Sequence, residues 1–130
     1  MTIQERKEIM LKARAEGYNC AQSLLLAFED RLPLQRDELA ALAASLGAGL
    51  GCGEICGVAN AMSIAKGLSL KASTPAMKVQ AMKEGAALAR RFEELNGALR
   101  CADLKGVPGK KTCNELIADG VEILDAALHL

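Results

Sequence analysis

The chain has 130 residues, 51% of them hydrophobic, with sixteen basic against sixteen acidic side chains: enough for one core and too short for two. The balanced charge excludes the basic footprint that a nucleic-acid backbone needs, so no nucleic-acid partner is expected. The longest uncharged run, Leu39 to Gly53, is too short to span a bilayer and ends in glycines. No membrane segment is expected, and the opening MTIQERKEIM, charged from its fifth residue and without an apolar signal core, predicts a cytoplasmic protein.

In chain order, the elements read as helices. Thr2 with Glu5 forms a capping box for a first helix ending at Gly17. Asn19 with Gln22 forms a second box, opening a helix through Phe28 with Leu24, Leu25 and Phe28 toward the core. After the Leu32-Pro33-Leu34 break, Asp37 to Leu46 carries Leu39, Leu42, Ala43 and Leu46 at helical spacing. A glycine-rich loop follows. From Cys56 or Gly57 the spacing predicts a helix to Lys66, with Gly67 as its stop.

Thr74 as N-cap and Pro75 at the first helical position predict the start of the longest helix, which runs to Asn96-Gly97. Val79, Met82, Ala86 and Ala89 form one stripe, with Leu88, Phe92 and Leu95 beside it, and Gly85 marks close approach of a neighbour. Arg100 to Lys105 forms one short turn before a Gly106-Val107-Pro108-Gly109 linker. A last helix starts at Thr112, boxed to Glu115, and carries Leu116, Ile117, Val121, Leu124 and Leu128. No segment alternates as a half-buried strand does. The expected fold is all-α, a single compact bundle of about five or six helices over 1–130. Alanine- and glycine-faced helices pack closely against copies of themselves, which is compatible with a homodimer.

Five cysteines in a chain read as cytoplasmic point away from a disulfide framework and toward redox chemistry, metal binding or plain packing. Cys20 follows the cap Asn19, Cys56 lies where the glycine loop enters a helix, and Cys113 follows the cap Thr112. Free N–H groups and the positive dipole end at such points stabilise a thiolate, so these thiols are expected to be acidified. Arg100 beside Cys101, and Lys110 and Lys111 before Cys113, favour the anion further; Glu54 opposes it.

The loop GAGLGCGEICG fits neither G-x-x-x-x-G-K-[ST] nor G-x-G-x-x-G, and no strand feeds it, so it is not a phosphate or dinucleotide loop. Its glycines allow unusual backbone angles and close approach to a reactive group, or simply a tight connection between packed helices. Cys52 and Cys56 form a C-x-x-x-C pair, which is neither the thioredoxin-type C-x-x-C nor a zinc knuckle. The only histidine, His129, reads as a terminal residue. A metal here would therefore need thiolates, or carboxylates such as Glu54, and such sites favour zinc, iron–sulfur clusters or copper(I).

Tyr18-Asn19-Cys20-Ala21-Gln22, then Gly53-Glu54-Ile55-Cys56-Gly57, then separate cysteines at 101 and 113, resemble the bacterial and archaeal family of small redox-active proteins known by its pattern C-GCAxxG-C-C. The resemblance covers nearly the whole chain and implies that Cys20, Cys56, Cys101 and Cys113 are the family's four cysteines, with Cys52 additional. The family's Cys-Gly-Ala-x-x-Gly reads here Cys56-Gly57-Val58-Ala59-Asn60-Ala61, so Val replaces Ala and Ala61 replaces the closing Gly, adding a methyl that would narrow a pocket over the cysteine.

Three readings follow. In the first, the chain is a thiol–disulfide oxidoreductase or electron carrier in which Cys56 attacks and Cys52, Cys20, Cys101 or Cys113 resolves the mixed disulfide. Its partner would be a redox protein or a small thiol or disulfide. In the second, Cys20, Cys56, Cys101 and Cys113 bind an iron–sulfur cluster or zinc. In the third, the chain is a helical interaction protein whose cysteines are packed and inert.

Overall fold

The structure is a computed structural model that describes residues 1–105 and 107–128. Gly106, part of the expected linker, and His129 lie outside the described residues. Among those described, the chain forms seven α-helices and no strand: α1 (Ile3–Ala15), α2 (Cys20–Leu26), α3 (Arg36–Leu42), α4 (Gly57–Leu70), α5 (Lys78–Asn96), α6 (Cys101–Leu104) and α7 (Cys113–Leu128). Six helices have seven residues or more, in line with the expected bundle, and the four-residue α6 adds one. None of the described helices is long and apolar enough to cross a membrane.

The bundle is organised around α2, one of its two seven-residue helices. Six of the seven residues of α2 are buried, and α1, α3, α4 and α7 all pack against it. Such a helix has too few turns to stand alone, so its stability comes from packing and from its caps. The surrounding helices close on one another through small residues. A Cβ at Gly120 of α7 would collide with Val58 Cγ1, and one at Gly85 of α5 would lie 3.2 Å from Ser63 Oγ of α4.

Several expected boundaries move. The second helix stops at Leu26, and residues Glu29–Arg31 form a separate 3-10 turn. The third ends at Leu42 rather than Leu46, and Leu42 points outward at 46% exposure while Leu39 and Ala43 are buried. The fourth runs through Gly67 to Leu70 and is closed by Lys71 in the left-handed region, at φ 53°. Packing of Ile64 and Leu68 against the core offsets the roughly 1 kcal/mol that a mid-helix glycine costs.

Thr74-Pro75 opens only a 3-10 turn, Pro75–Met77, without a side-chain cap from Thr74, and the α-helix proper begins at Lys78. The two apolar sides read for that helix fare differently. Val79 and Met82 are 58% and 66% exposed, whereas Leu88, Phe92 and Asn96 face inward. Between α4 and α5, Lys66, nearly buried on α4, pairs with Glu84 at 3.1 Å, and it also donates to the Ala127 carbonyl of α7 at 3.1 Å.

At the far end of α2 a buried cation holds the chain together. Arg6 is 2% exposed and lies over the Phe28 ring at 4.4 Å. It donates to both Asp30 oxygens at 2.6 and 3.1 Å, to Asp125 at 3.2 Å and to the Ala27 carbonyl at 2.9 Å. These bonds leave little of the guanidinium unsatisfied, which is the condition for burying it. Hydrogen bonds from Arg6 hold the Asp30 carboxyl below its ordinary value. A depressed carboxyl stabilises the fold above its unfolded pKa of about 4 and loses that effect as pH falls through the folded value. Urea melts from pH 7 to pH 2 should therefore show a stability loss below about pH 4 that is smaller in Asp30→Asn. Arg6→Ala, which strands two carboxylates, should cost about 3 kcal/mol at pH 7.

Candidate functional site

The start of α2 positions the first thiol. Asn19 Oδ1 accepts from the Gln22 amide at 2.8 Å, and Gln22 Oε1 accepts from the Asn19 amide at 2.9 Å. This is the reciprocal box read from sequence. Both side chains have a second role that sequence did not reveal. Asn19 Nδ2 donates to the Ala43 and Ala44 carbonyls at 3.2 and 3.1 Å, and Gln22 Nε2 donates to the Ala40 carbonyl at 2.9 Å. Those carbonyls lie at and beyond the C-terminal end of α3, and the three bonds close that helix short of Leu46.

The chain then turns through the glycine loop in a left-handed path. Ala48 (φ 54°), Gly49 (φ 62°), Leu50 (φ 62°) and Gly51 (φ 72°) are four successive residues with positive φ. Ala48 and Leu50 carry a Cβ, and each costs roughly 1–2 kcal/mol in this region. The path is closed by the Glu54 amide donating to the Gly49 carbonyl at 3.0 Å. It turns the Ala48 amide toward the Cys20 sulfur, where the Ala21 amide also points.

Immediately after the loop, residues 54–56 pair with residues 99–101. The Cys56 amide donates to the Leu99 carbonyl at 2.8 Å and the Cys101 amide to the Glu54 carbonyl at 2.7 Å, around an antiparallel bridge between Ile55 and Arg100. The Arg100 guanidinium grips the Glu54 carboxylate with two bonds of 3.2 Å on the outer side. This short clasp fixes Cys56 and Cys101 at the start of α4 and α6. Cys56 is the N-cap residue of α4, and the Val58 and Ala59 amides face its sulfur. Cys113, the first residue of α7, follows Thr112, whose box to Glu115 is formed at 2.9 and 3.2 Å.

Cys20, Cys56, Cys101 and Cys113 all line one cavity of about 370 Å³, together with Val58, Leu104 and Leu116 and the lysines at 105, 110 and 111. A larger cleft of about 820 Å³, between α1 and residues 26–36, contains no cysteine. The four cavity thiols differ in depth: Cys113 is exposed, Cys101 is half-buried, and Cys20 and Cys56 are 9% and 5% exposed. Gly57 makes the floor compact. A Cβ there would lie 2.6 Å from Cys20 Sγ and 2.9 Å from the Leu46 carbonyl oxygen. Cys52 stands apart from this group, exposed on the glycine loop, with its thiol donating to the Gly49 carbonyl at 3.6 Å. Ala61 is fully buried in the core and is not a cavity-lining residue; of the two departures from the family pattern, Val58 is the one that touches the cavity.

The expected acidification of the helix-start thiols is reversed at both floor positions. Burial pushes the Cys56 thiol up to about 11, against the Val58 and Ala59 amides, and the neighbouring Cys20 and Cys101 add to the rise. Burial also raises Cys20, with Cys113 adding and the Ala48 and Ala21 amides opposing. Helix-end amides do favour the anion, but removal of water from a thiolate outweighs them. Among the described residues, no group of three or more His, Cys, Asp or Glu side chains is placed to hold a metal ion. The charge at the cavity includes Lys105, which sequence analysis did not single out; its position four residues after Cys101 was the available signal.

A family model described as "Putative redox-active protein (C_GCAxxG_C_C)" matches residues 18–127. The chain belongs to the C_GCAxxG_C_C family. No curated protein and no solved structure matches the chain. The span that carries the family match runs from the residue before Asn19 to the last turn of α7, so it contains the α2 cap, the glycine loop, the clasp and all four cavity thiols.

Two predictions test the site. Gly57→Ala should destabilise the protein by about 2 kcal/mol in chemical melts, because the added methyl must displace Cys20 Sγ or the Leu46 backbone. For Cys56, a folded pKa above the unfolded one means that its stabilising effect is complete below about pH 9 and is lost as pH rises toward 11. Stability should therefore fall over that alkaline range, and less steeply in Cys56→Ala.

Proposed function

We propose that the chain is a dithiol redox protein that cycles cavity cysteines between thiols and disulfides. Support comes from one observation above all: four cysteines from separate parts of the chain line one cavity, graded from the exposed Cys113 to the buried Cys56. Exposure and basic flanking residues make Cys113 the attacking thiol. Cys20, whose thiol feels the Cys113 charge, is the resolving one. Cys56 feels Cys20 first and Cys101 after it; with Cys20 committed to Cys113, Cys101 is left as the partner of Cys56. The attacking role thus moves from Cys56, the sequence-based expectation, to Cys113, because a thiol that ionises near pH 11 supplies little thiolate at neutral pH.

The resolving step suits a buried thiol. Once Cys113 is held in a mixed disulfide, Cys20 gives up its proton and attacks the Cys113 sulfur, and the departing thiolate takes that proton. The backbone amides of Ala48 and Ala21 face the Cys20 sulfur where negative charge develops. Cys52 takes no part, being outside the cavity.

The convergence of four cysteines also supports a second reading, in which Cys20, Cys56, Cys101 and Cys113 hold an iron–sulfur cluster or zinc as all-thiolate ligands and supply electron transfer or metal storage. No three of these side chains are already placed for a metal ion among the described residues, so this reading requires the thiols to draw together on binding.

Metal and labile-sulfide analysis of protein purified without oxygen, followed by thiol titration and peptide mapping after mild oxidation, separates the readings. The dithiol reading expects metal-free protein that loses thiols in pairs, with Cys20–Cys113 and Cys56–Cys101 disulfides and Cys52 still free. In Cys113→Ser the first disulfide should be absent and Cys20 should remain reduced. Stoichiometric iron and sulfide, or zinc, in the anaerobic protein would overturn this reading in favour of the second. Five thiols that react only after denaturation would overturn both.

A further inference from the structure

This inference rests on the dithiol reading and concerns what enters the cavity. The chain as a whole is neutral, with sixteen basic and sixteen acidic residues. Its cysteine cavity is not: Lys105, Lys110 and Lys111 line it, and among the described residues no carboxylate does. Lys111 is held by Asp119 at 2.7 Å. Lys105 and Lys110 have no such partner among the described residues, where the ion-paired lysines are Lys7, Lys66 and Lys111. The nearest acid in sequence to Cys113, Glu115, is committed to the Thr112 amide at 2.9 Å. Arg14, which adds positive charge near Cys20, donates to Asn114 at 3.0 Å and not to a carboxylate.

Size and depth point the same way. At about 370 Å³ the cavity is near the lower end of small-molecule sites, which run from roughly 300 to 1,000 Å³. Its floor thiols are nearly buried, so an incoming disulfide meets Cys113 first and the second exchange takes place within the cavity. Apolar side chains, Val58, Leu104 and Leu116, share the lining with the thiols and the lysines.

We infer that the cavity takes a low-molecular-weight disulfide carrying carboxylates, with its charges at Lys105 and Lys110 and its sulfur against Cys113. The Cys113 thiolate attacks one sulfur of R–S–S–R, forming a Cys113–S–S–R bond and releasing R–S⁻, which takes up the proton Cys113 has lost. Cys20 then attacks the Cys113 sulfur, forming the Cys20–Cys113 disulfide and releasing a second R–S⁻ that takes the Cys20 proton. The protein is oxidised by two electrons, and the disulfide is reduced to two thiols. Positive charge at the cavity raises the encounter rate of the anion and steadies the thiolate that leaves.

The test mixes the reduced full-length protein with three small disulfides: dianionic 3,3′-dithiodipropionate, neutral 2-hydroxyethyl disulfide and dicationic cystamine. Formation of the Cys20–Cys113 disulfide is followed by acid quench and mass spectrometry, with each rate divided by that of the same disulfide with a free small thiol. The dianion should be favoured over the dication by about tenfold or more at low ionic strength, and the preference should shrink in about 0.5 M salt. Combined Lys105→Gln and Lys110→Gln should lower the dianion-to-neutral ratio by about threefold or more, while the same change at Lys83 on α5 should not. Equal normalised rates for the three compounds, or a ratio unaffected by the two substitutions, would overturn the anion preference and leave the dithiol reading standing. Failure of every disulfide to form the Cys20–Cys113 bond would overturn both.

Discussion

The site depends on a clasp of two backbone hydrogen bonds. Residues 54–56 and 99–101 meet nowhere else in the chain's logic: one follows a strained loop, the other follows the longest helix. Their pairing satisfies the Cys56 and Cys101 amides at 2.8 and 2.7 Å, and in doing so fixes where α4 and α6 begin. A helix start is defined by which amides are left for its cap, so anchoring the preceding backbone anchors the first-turn side chains as well. The Glu54–Arg100 pair is solvent-exposed on both sides and adds little energy by itself. Its geometric effect is greater, since two parallel bonds oppose twisting of the clasp.

The left-handed loop and the buried helix answer one another across the same thiol. Burying Cys20 at the start of α2 removes water from its sulfur, and the loop brings the Ala48 amide to the place that water would have taken. Two non-glycine residues in left-handed conformations are an expense that a simple connector between α3 and α4 would not need. The same region also explains why the floor is tight. Gly57 lets the start of α4 lie directly on Cys20 Sγ, and Gly47 leaves room for the Asn19 side chain, which a Cβ would approach to 2.7 Å.

Local features were legible in the sequence and long-range ones were not. The boxes at Thr2, Asn19 and Thr112 each require only four consecutive residues, and all three form as expected. The helical class followed from spacing alone. The inward face of α5 did not, because that helix has apolar residues on two sides and packing against α4 and α7 decides that Leu88 and Phe92 are the ones buried. The end of α3 was likewise decided by Asn19 and Gln22, side chains that sequence assigns to a different element. For the thiols, the dipole argument is local and correct in sign, whereas burial is a property of the finished fold and reverses the outcome. The gathering of Cys20, Cys56, Cys101 and Cys113 at one cavity needed tertiary contacts that spacing does not contain, although the family resemblance had already grouped those four.

The cavity is built from two kinds of chain segment. Its floor belongs to α2, the glycine loop and the start of α4, where substitutions meet close-packed backbone. Its three lysines lie between positions 105 and 111, in the connection from α6 to α7, where most residues are exposed. The packing of the floor thiols and the charge of the cavity are therefore carried by separate stretches with unequal tolerance to change. A change in that connection can thus alter the charge around the cavity while the packed thiols beneath it keep their places.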